Sequence, residues 1–186
     1  MPRRRFIFDP PERFVTGTIG DPGQRTFFLQ ARDGGRVVSV ALEKVQVAVL
    51  ADRLGQLLLE LERRGIAPEL EAEPAVQDMG PLDEPLNEAF RAGALTLGWD
   101  GDAERVLVEA RAESEDGEPI DPEEDDDEAE DGPDLLRVRM SADAARTFVE
   151  RAVRVVASGR PPCPLCGQPL EATGHICPRR NGQYVN

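Results

Sequence analysis

The chain has 186 residues, a formal net charge of −14 and only three cysteines and one histidine. This length suffices for one sizeable domain with a hydrophobic core. No apolar run is long enough for a membrane-spanning helix, and the arginines at positions 3–5 precede no apolar segment typical of a secretory signal. Three cysteines cannot all pair in disulfides, so we expect a cytoplasmic protein that does not contact a membrane.

Residues 1–65 predict three strands followed by a helix. Alternating segments beginning at Phe14 are separated by turns at Asp21-Pro22-Gly23 and Asp33-Gly34-Gly35. Gly65 is expected to end the helix. The predicted apolar stripe of this helix consists of Leu42, Val45, Val49, Leu50, Leu54, Leu57, Leu58 and Leu61.

Residues 66–89 are rich in proline and glutamate and have no periodic apolar stripe. We expect a connection there, with one helical turn near Leu86.

Residues 90–160 repeat the pattern of three strands and a helix. The first turn is expected at Asp100-Gly101-Asp102, and an insertion at 113–134 occupies the second. Ser141 is a natural N-cap, and Ser158-Gly159 is expected to end the helix. The predicted stripe of this second helix consists of Ala145, Phe148, Val149, Ala152, Val155 and Val156.

The insertion at 113–134 contains 14 acidic residues and no basic one, whereas the rest of the chain carries 22 of each sign. A segment with so few apolar side chains cannot offset the entropy lost on ordering, so we predict a disordered, solvated loop. A docking tail for a basic partner, or a mimic of nucleic acid, is the alternative interpretation.

The two halves suggest an internal duplication, since both open with Phe-x-x-Gly, at Phe14 and at Phe90. The predicted fold class is therefore α+β: two βββα repeats form one pseudo-symmetric antiparallel-sheet domain, followed by a small zinc-ribbon-like tail at 161–186. Convergence of two similar units, or two independent small domains with thin cores, would produce the same pattern.

The tail contains every cysteine and the only histidine of the chain, as Cys163, Cys166, His175 and Cys177. A Cys-x-x-Cys turn followed by glycine directs two thiolates to one point, and His-x-Cys can present its two ligands from one side of an extended segment. Three thiolates and one imidazole complete the tetrahedral shell of a structural zinc ion. Because this shell leaves no position for water or substrate, the predicted Zn²⁺ stabilises the tail and is not catalytic.

Thiol redox chemistry, an iron or iron–sulfur site, and inert residues are the alternatives. Redox chemistry is considered because Cys-Pro-Leu-Cys is similar to the glutaredoxin motif. That motif opens a helix, whereas here Gly167 and Pro169 follow it. Arg179, Arg180 and Asn181 follow the last ligand and form a candidate binding surface for phosphate or RNA, unless they are only a solvated chain end.

The chain resembles an actinobacterial family catalogued as domain of unknown function 3090. The resemblance rests on "FIFDPPERFVTGTIG", "GQRTFFLQA", "ALEKVQV" and above all "PPCPLCGQPLEATGHICPRRNG". It implies an intracellular protein without an assigned activity, and it supplies no catalytic residues.

We expect a non-enzymatic interaction or adaptor protein that binds protein partners. The sequence contains no phosphate-binding glycine loop, no nucleophile elbow and no histidine outside the tail. The alternatives are an RNA-associated factor that uses the basic termini, and an enzyme built on carboxylates and basic side chains. The candidates for such an enzyme site are Glu12, Arg13, Glu43, Lys44, Asp100 and Asp102.

Overall fold

The computed structural model describes residues 2–21, 23–66, 78–114, 131–159, 163–165 and 177. The strands and helices are β1 (Arg5–Phe8), β2 (Arg13–Ile19), β3 (Thr26–Asp33), β4 (Arg36–Leu42), α1 (Lys44–Arg63), β5 (Glu88–Asp100), β6 (Arg105–Ala112), β7 (Leu135–Met140) and α2 (Ala142–Ala157). The predicted α+β class is confirmed. Strand β1 was not predicted, and β5 begins inside the expected connection at 66–89.

The strands form one seven-stranded sheet in the order β1-β7-β6-β5-β4-β3-β2. Pairing is antiparallel within β2–β4 and within β5–β7. It is parallel where the halves meet, between β4 and β5 and between β1 and β7. The predicted antiparallel sheet was therefore wrong at these two junctions. At each of them, the first strand of one half pairs with the last strand of the other half: β5 with β4, and β1 with β7.

The sheet is strongly curled. Strands β1 and β2 lie at opposite edges, yet only residues 9–12 connect them, and that link can span about 18 Å when fully extended. In a flat sheet, the outer two of seven strands would lie about 29 Å apart. Consistent with curling, the guanidinium of Arg36 on β4 lies 4.9 Å from the ring centre of Phe8 on β1.

The concave face of the sheet and both helices enclose one hydrophobic core. Leu29, Val40 and Val138 contribute from the strands, and Leu54 and Phe148 from the helices, all almost fully buried. The helices are antiparallel, because the start of α1 lies beside the end of α2: a Cβ added to Gly159 would sit 3.1 Å from Nζ of Lys44.

Local signals placed both helices correctly. The Ser141 hydroxyl accepts a hydrogen bond from the Ala144 amide at 3.2 Å, which confirms the N-cap of α2. Gly65 follows α1 with φ of +64°, the conformation that ends helices. The predicted stripe of α1 was wrong at Val45 and Val49, which are 66% and 53% exposed because the buried stripe runs along a neighbouring line of the helix.

The predicted duplication treats Phe14 and Phe90 as equivalent positions of two repeats, but the strand registers do not agree with this. Phe90 lies opposite Val40 in the β4–β5 pair, and the residue in the corresponding place of the β7–β1 pair is Phe8, opposite Val138. Each half does contain three antiparallel strands and a helix. The internal duplication itself stays a prediction.

Residues 78–87 cover the convex face of β2–β4. Leu82 packs there against Val15, Phe28 and Ala41 in a second, smaller apolar cluster. The expected helical turn near Leu86 is wrong, since this segment is not helical. Among the described residues, no helix combines the length and the apolar character needed to cross a membrane. The acidic stretch lies outside the described residues between 115 and 130.

Candidate functional site

Two of the four predicted zinc ligands lie side by side in the structure. Cys163 and Cys177 are each 6% exposed, and their Sγ atoms are 4.0 Å apart. This is about twice the length of a disulfide bond, so no disulfide joins these two cysteines to each other. Two thiolates that share a tetrahedral zinc ion, with Zn–S bonds of about 2.3 Å, have sulfurs about 3.8 Å apart. The pair therefore fits a shared metal ion.

The turn after Cys163 supports negative charge on its sulfur. The backbone amide of Leu165 donates a hydrogen bond to Cys163 Sγ at 3.4 Å. Such a bond is stronger when the sulfur is a thiolate, and the thiolate is the form that ligates a metal. A backbone amide of this turn thus points to the sulfur.

The other residues predicted in the tail, Cys166, His175, Arg179, Arg180 and Asn181, lie outside the described residues. In the part of the chain that the structure describes, no three His, Cys, Asp or Glu side chains are grouped closely enough to hold a metal ion. The described part contains two of the four predicted ligands, and the whole ligand set stays a prediction.

A second polar cluster lies beside β2, the strand at one edge of the sheet. We call it the arginine clasp, formed by Arg13, Asp78 and Arg151. Arg13 Nη2 donates to Asp78 Oδ1 at 3.0 Å, and Arg151 Nη1 donates to the same oxygen at 3.2 Å. Arg151 also donates to the backbone carbonyls of Thr16 at 2.7 Å, Asp78 at 2.6 Å and Gly80 at 2.7 Å. The clasp joins β2, α2 and the connection between the two halves.

Charge in the clasp is fixed by these contacts. The hydrogen bond from Arg13 holds the pKa of Asp78 below its ordinary value, so this carboxylate stays ionised at neutral pH. Burial lowers the pKa of Arg151, whereas the hydrogen bond to Asp78 raises that of Arg13. A carboxylate held between two guanidinium groups in this way is poorly suited to exchange protons with a substrate. The clasp borders a cavity of about 380 Å³, and we interpret it as structural.

One known protein family matches nearly the whole chain. Residues 6–177 match the family described as "Protein of unknown function (DUF3090)". The chain belongs to this family. The match begins in β1 and ends at Cys177, so all four predicted ligands of this DUF3090 protein lie within it. No curated protein and no solved structure matches the chain.

The candidate enzyme residues do not converge in this DUF3090 protein. Glu43 forms a capping box with Gln46 at the start of α1 and pairs with Arg91 at 3.0 Å. Asp100 accepts the Ala103 amide at 3.0 Å in the β5–β6 turn. Of the others, Glu12 and Lys44 are exposed, Asp102 is exposed in the same turn as Asp100, and Arg13 belongs to the clasp.

The N-terminal arginines of the DUF3090 chain also have structural contacts. Nε of Arg4 donates to Asp134 Oδ2 at 2.8 Å, and its Nη2 donates to the Ala89 carbonyl at 2.6 Å. Arg3 is 9% exposed. Arg3 is therefore buried, and Arg4, whose side chain is 57% exposed, is engaged with Asp134.

Sequence reasoning missed Asp78 and Arg151. They lie 65 and 138 positions after Arg13, in segments with no pattern that relates them. The only signal was a charged residue on the inward side of a helix: Arg151 lies between Phe148 and Ala152 in the stripe of α2 and is 7% exposed. A buried arginine needs a partner, but the sequence does not say which one.

Proposed function

We propose that this protein is a non-enzymatic, zinc-binding interaction protein whose C-terminal tail is folded by one structural Zn²⁺. The ligands would be Cys163, Cys166, His175 and Cys177. The protein would act in a reducing compartment, the cytoplasm, where thiolate ligands of a metal stay reduced. The curled sheet and its helices would form the platform that carries the tail.

The observation that carries this proposal is the spacing of two buried thiols. Cys163 and Cys177 are 14 positions apart in the chain, yet their sulfurs lie 4.0 Å apart, close to the spacing expected around tetrahedral zinc. Burying two thiolates without a cation would be unfavourable because their charges repel at this distance. A divalent ion between them removes that cost.

Four protein ligands favour a structural role for the ion. A catalytic zinc keeps one position open for water or substrate, whereas three thiolates and an imidazole occupy all four. The short tail has few apolar residues with which to form a core of its own. Metal binding would therefore supply the folding free energy of this segment.

Carboxylates that are paired with arginine support a non-enzymatic body. Glu109 is 5% exposed, accepts a hydrogen bond from Arg111 at 2.8 Å and also accepts one from Arg137. Asp78 is similarly held by the clasp. Carboxylates paired with arginine in this way favour an ordered fold over acid–base catalysis.

Metal analysis of the purified full chain tests the proposal. We expect one zinc per chain, and visible absorption bands of tetrahedral thiolate coordination after replacement by Co²⁺. Cys163→Ser and Cys177→Ser should lose the metal, and so should Cys166→Ser. Leu165→Ala is the matched control: this side chain is 51% exposed, and the substitution keeps the amide that bonds Cys163 Sγ.

Protein purified without chelators that contains no stoichiometric metal, and that takes up no Co²⁺, would contradict the proposal. Retention of zinc by the Cys163→Ser and Cys177→Ser variants would contradict the ligand set even if some metal were present.

The RNA-associated and enzymatic functions are the alternatives. Among the described residues, the contacts of Arg4 with Asp134 and the dispersal of the candidate enzyme residues support neither. Binding of single-stranded RNA that weakens steeply with salt would favour the first. Turnover of a substrate that is lost in Glu12→Gln, at an exposed residue among the enzyme candidates, would favour the second.

A further inference from the structure

An open groove runs between the two helices on their solvent side. Its volume is about 930 Å³, at the upper end of the range for ligand sites. The α1 bank extends from Ala48 to Glu62, which corresponds to about 21 Å of helix. Small residues, Ala48, Ala51 and Gly55, line this bank, and Val149 and Val153 lie opposite on α2.

Gly55 keeps the groove deep at a cost to α1. A glycine inside a helix destabilises it by about 1 kcal/mol relative to alanine. Packing among the described residues does not require this glycine, because an added Cβ would lie 3.9 Å from Val149 Cγ1, an ordinary contact distance. Its effect is to leave space between the helices that none of the described residues fills.

Both banks of the groove expose large apolar side chains. Leu59 on α1 and Val153 on α2 are each 55% exposed. A single exposed apolar residue is common on protein surfaces, but apolar residues on both sides of an apolar groove are typical of binding sites.

The rim of the groove is acidic. Among the described residues that line it, Asp52, Glu62 and Glu150 are acidic and only Arg146 is basic. Arg146 is itself paired with Glu150 at 3.6 Å, and the hydrogen bond that Asp52 accepts comes from the neutral Gln56. An occupant with positive charges beside an apolar stripe would complement this rim.

We propose that the groove binds a basic amphipathic helix of a partner protein, about four turns long. Its apolar stripe would lie over Gly55, and its lysines or arginines would face Asp52 and Glu62. A fatty acid or phospholipid would bring a negative head group to the acidic rim, and a second copy of this chain would bring the same acidic rim. This inference deepens the proposed interaction role and rests on it, but it does not depend on zinc.

The test measures binding of a synthetic 14-residue helix of leucine, alanine and lysine to the full chain at physiological salt. The control peptide has glutamate in place of each lysine. We expect the lysine peptide to bind and the glutamate peptide not to bind. Gly55→Leu fills the groove without changing charge and should weaken binding at least about tenfold. Asp52→Lys with Glu62→Lys should also weaken it.

Ala144→Leu is the matched control, because it adds a leucine side chain at an exposed position of α2 outside the groove and should leave affinity unchanged. The lysine peptide could also bind to the acidic stretch at 113–134, but the Gly55→Leu variant retains that stretch. Circular dichroism of each variant verifies that it is folded.

Equal affinity of the wild type and Gly55→Leu, or no binding of the lysine peptide, would overturn the proposal. So would dimerisation of the wild type that Gly55→Leu abolishes, since the occupant would then be a second copy. Metal analysis of the same samples distinguishes this failure from a failure of the zinc proposal.

Discussion

Arg151→Met removes the central donor of the arginine clasp while keeping a long apolar side chain in its place. In the wild type this guanidinium bonds three backbone carbonyls and the Asp78 carboxylate, and its side chain is 8% exposed. The substitution leaves the carbonyl of Thr16, a fully buried residue, without this donor. We therefore expect a substantial loss in the free energy of unfolding.

The magnitude follows from the exposure of each partner. One buried carbonyl without a donor costs about 1–3 kcal/mol, and loss of one member of a buried ion pair costs about 3–5 kcal/mol. Asp78 keeps Arg13, and its side chain is 31% exposed, so water replaces part of what is lost. We expect a destabilisation of about 2–4 kcal/mol, which lowers Tm by about 4–16 °C in a chain of this size.

Urea denaturation at pH 7 measures this loss, with Arg53→Met as the matched control. Arg53 is an exposed residue of α1, and its substitution should change the free energy of unfolding by less than about 0.5 kcal/mol. Arg151→Lys should lie between the wild type and Arg151→Met, because an ammonium group cannot reach all four acceptors in their fork-like arrangement. If Arg151→Met were as stable as Arg53→Met, the clasp would not join the two halves energetically.

Three further predictions concern the acid limb of stability, a close contact and the tail. The pKa of Asp78 in the folded chain lies below its ordinary value of 3.8. The ionised carboxylate therefore stabilises the fold above pH 3.8, and this stabilisation is lost as the pH falls through the lowered pKa. The unfolding free energy of Asp78→Asn should depend less on pH below about pH 4 than that of the wild type. Gly17→Ala would place a Cβ 2.8 Å from Leu82 and should cost about 1–3 kcal/mol in thermal unfolding, whereas Gly98→Ala, with no atom within 4 Å, should not show that steric penalty. Chelation should expose the tail around Cys163 to protease while the far-ultraviolet circular dichroism of the body persists; an unchanged cleavage pattern would count against metal-dependent folding of the tail.

Features that depend on neighbouring residues could be predicted well from the sequence. The Asp33-Gly34-Gly35 turn joins β3 and β4 as expected, and Gly34 has φ of +56°. The cap at Ser141 and the stop at Gly65 are also in place. Each of these depends on the conformational preference or the hydrogen bond of a residue within a few positions, so the sequence alone contains the necessary information.

Features that depend on residues distant in the chain could not be predicted from the sequence. The strand β1 is only four residues long and gains its stability by pairing with β7, about 130 positions later. Val45 and Val49 are exposed because of the way α1 is rotated about its axis against the sheet. Apolar residues cover a wide face of this helix, so the sequence does not define that rotation.

The sequence by itself determined the two βββα patterns, the single acidic insertion and the grouping of all thiols and the imidazole in one short tail, because each depends on spacing along the chain. Only the tertiary structure decided that the halves meet through parallel strands, that Arg13, Asp78 and Arg151 share one clasp, and that Gly55 opens a groove between α1 and α2. The physical reason is that these contacts join segments far apart in sequence, so their partners are selected by the packing of the whole core.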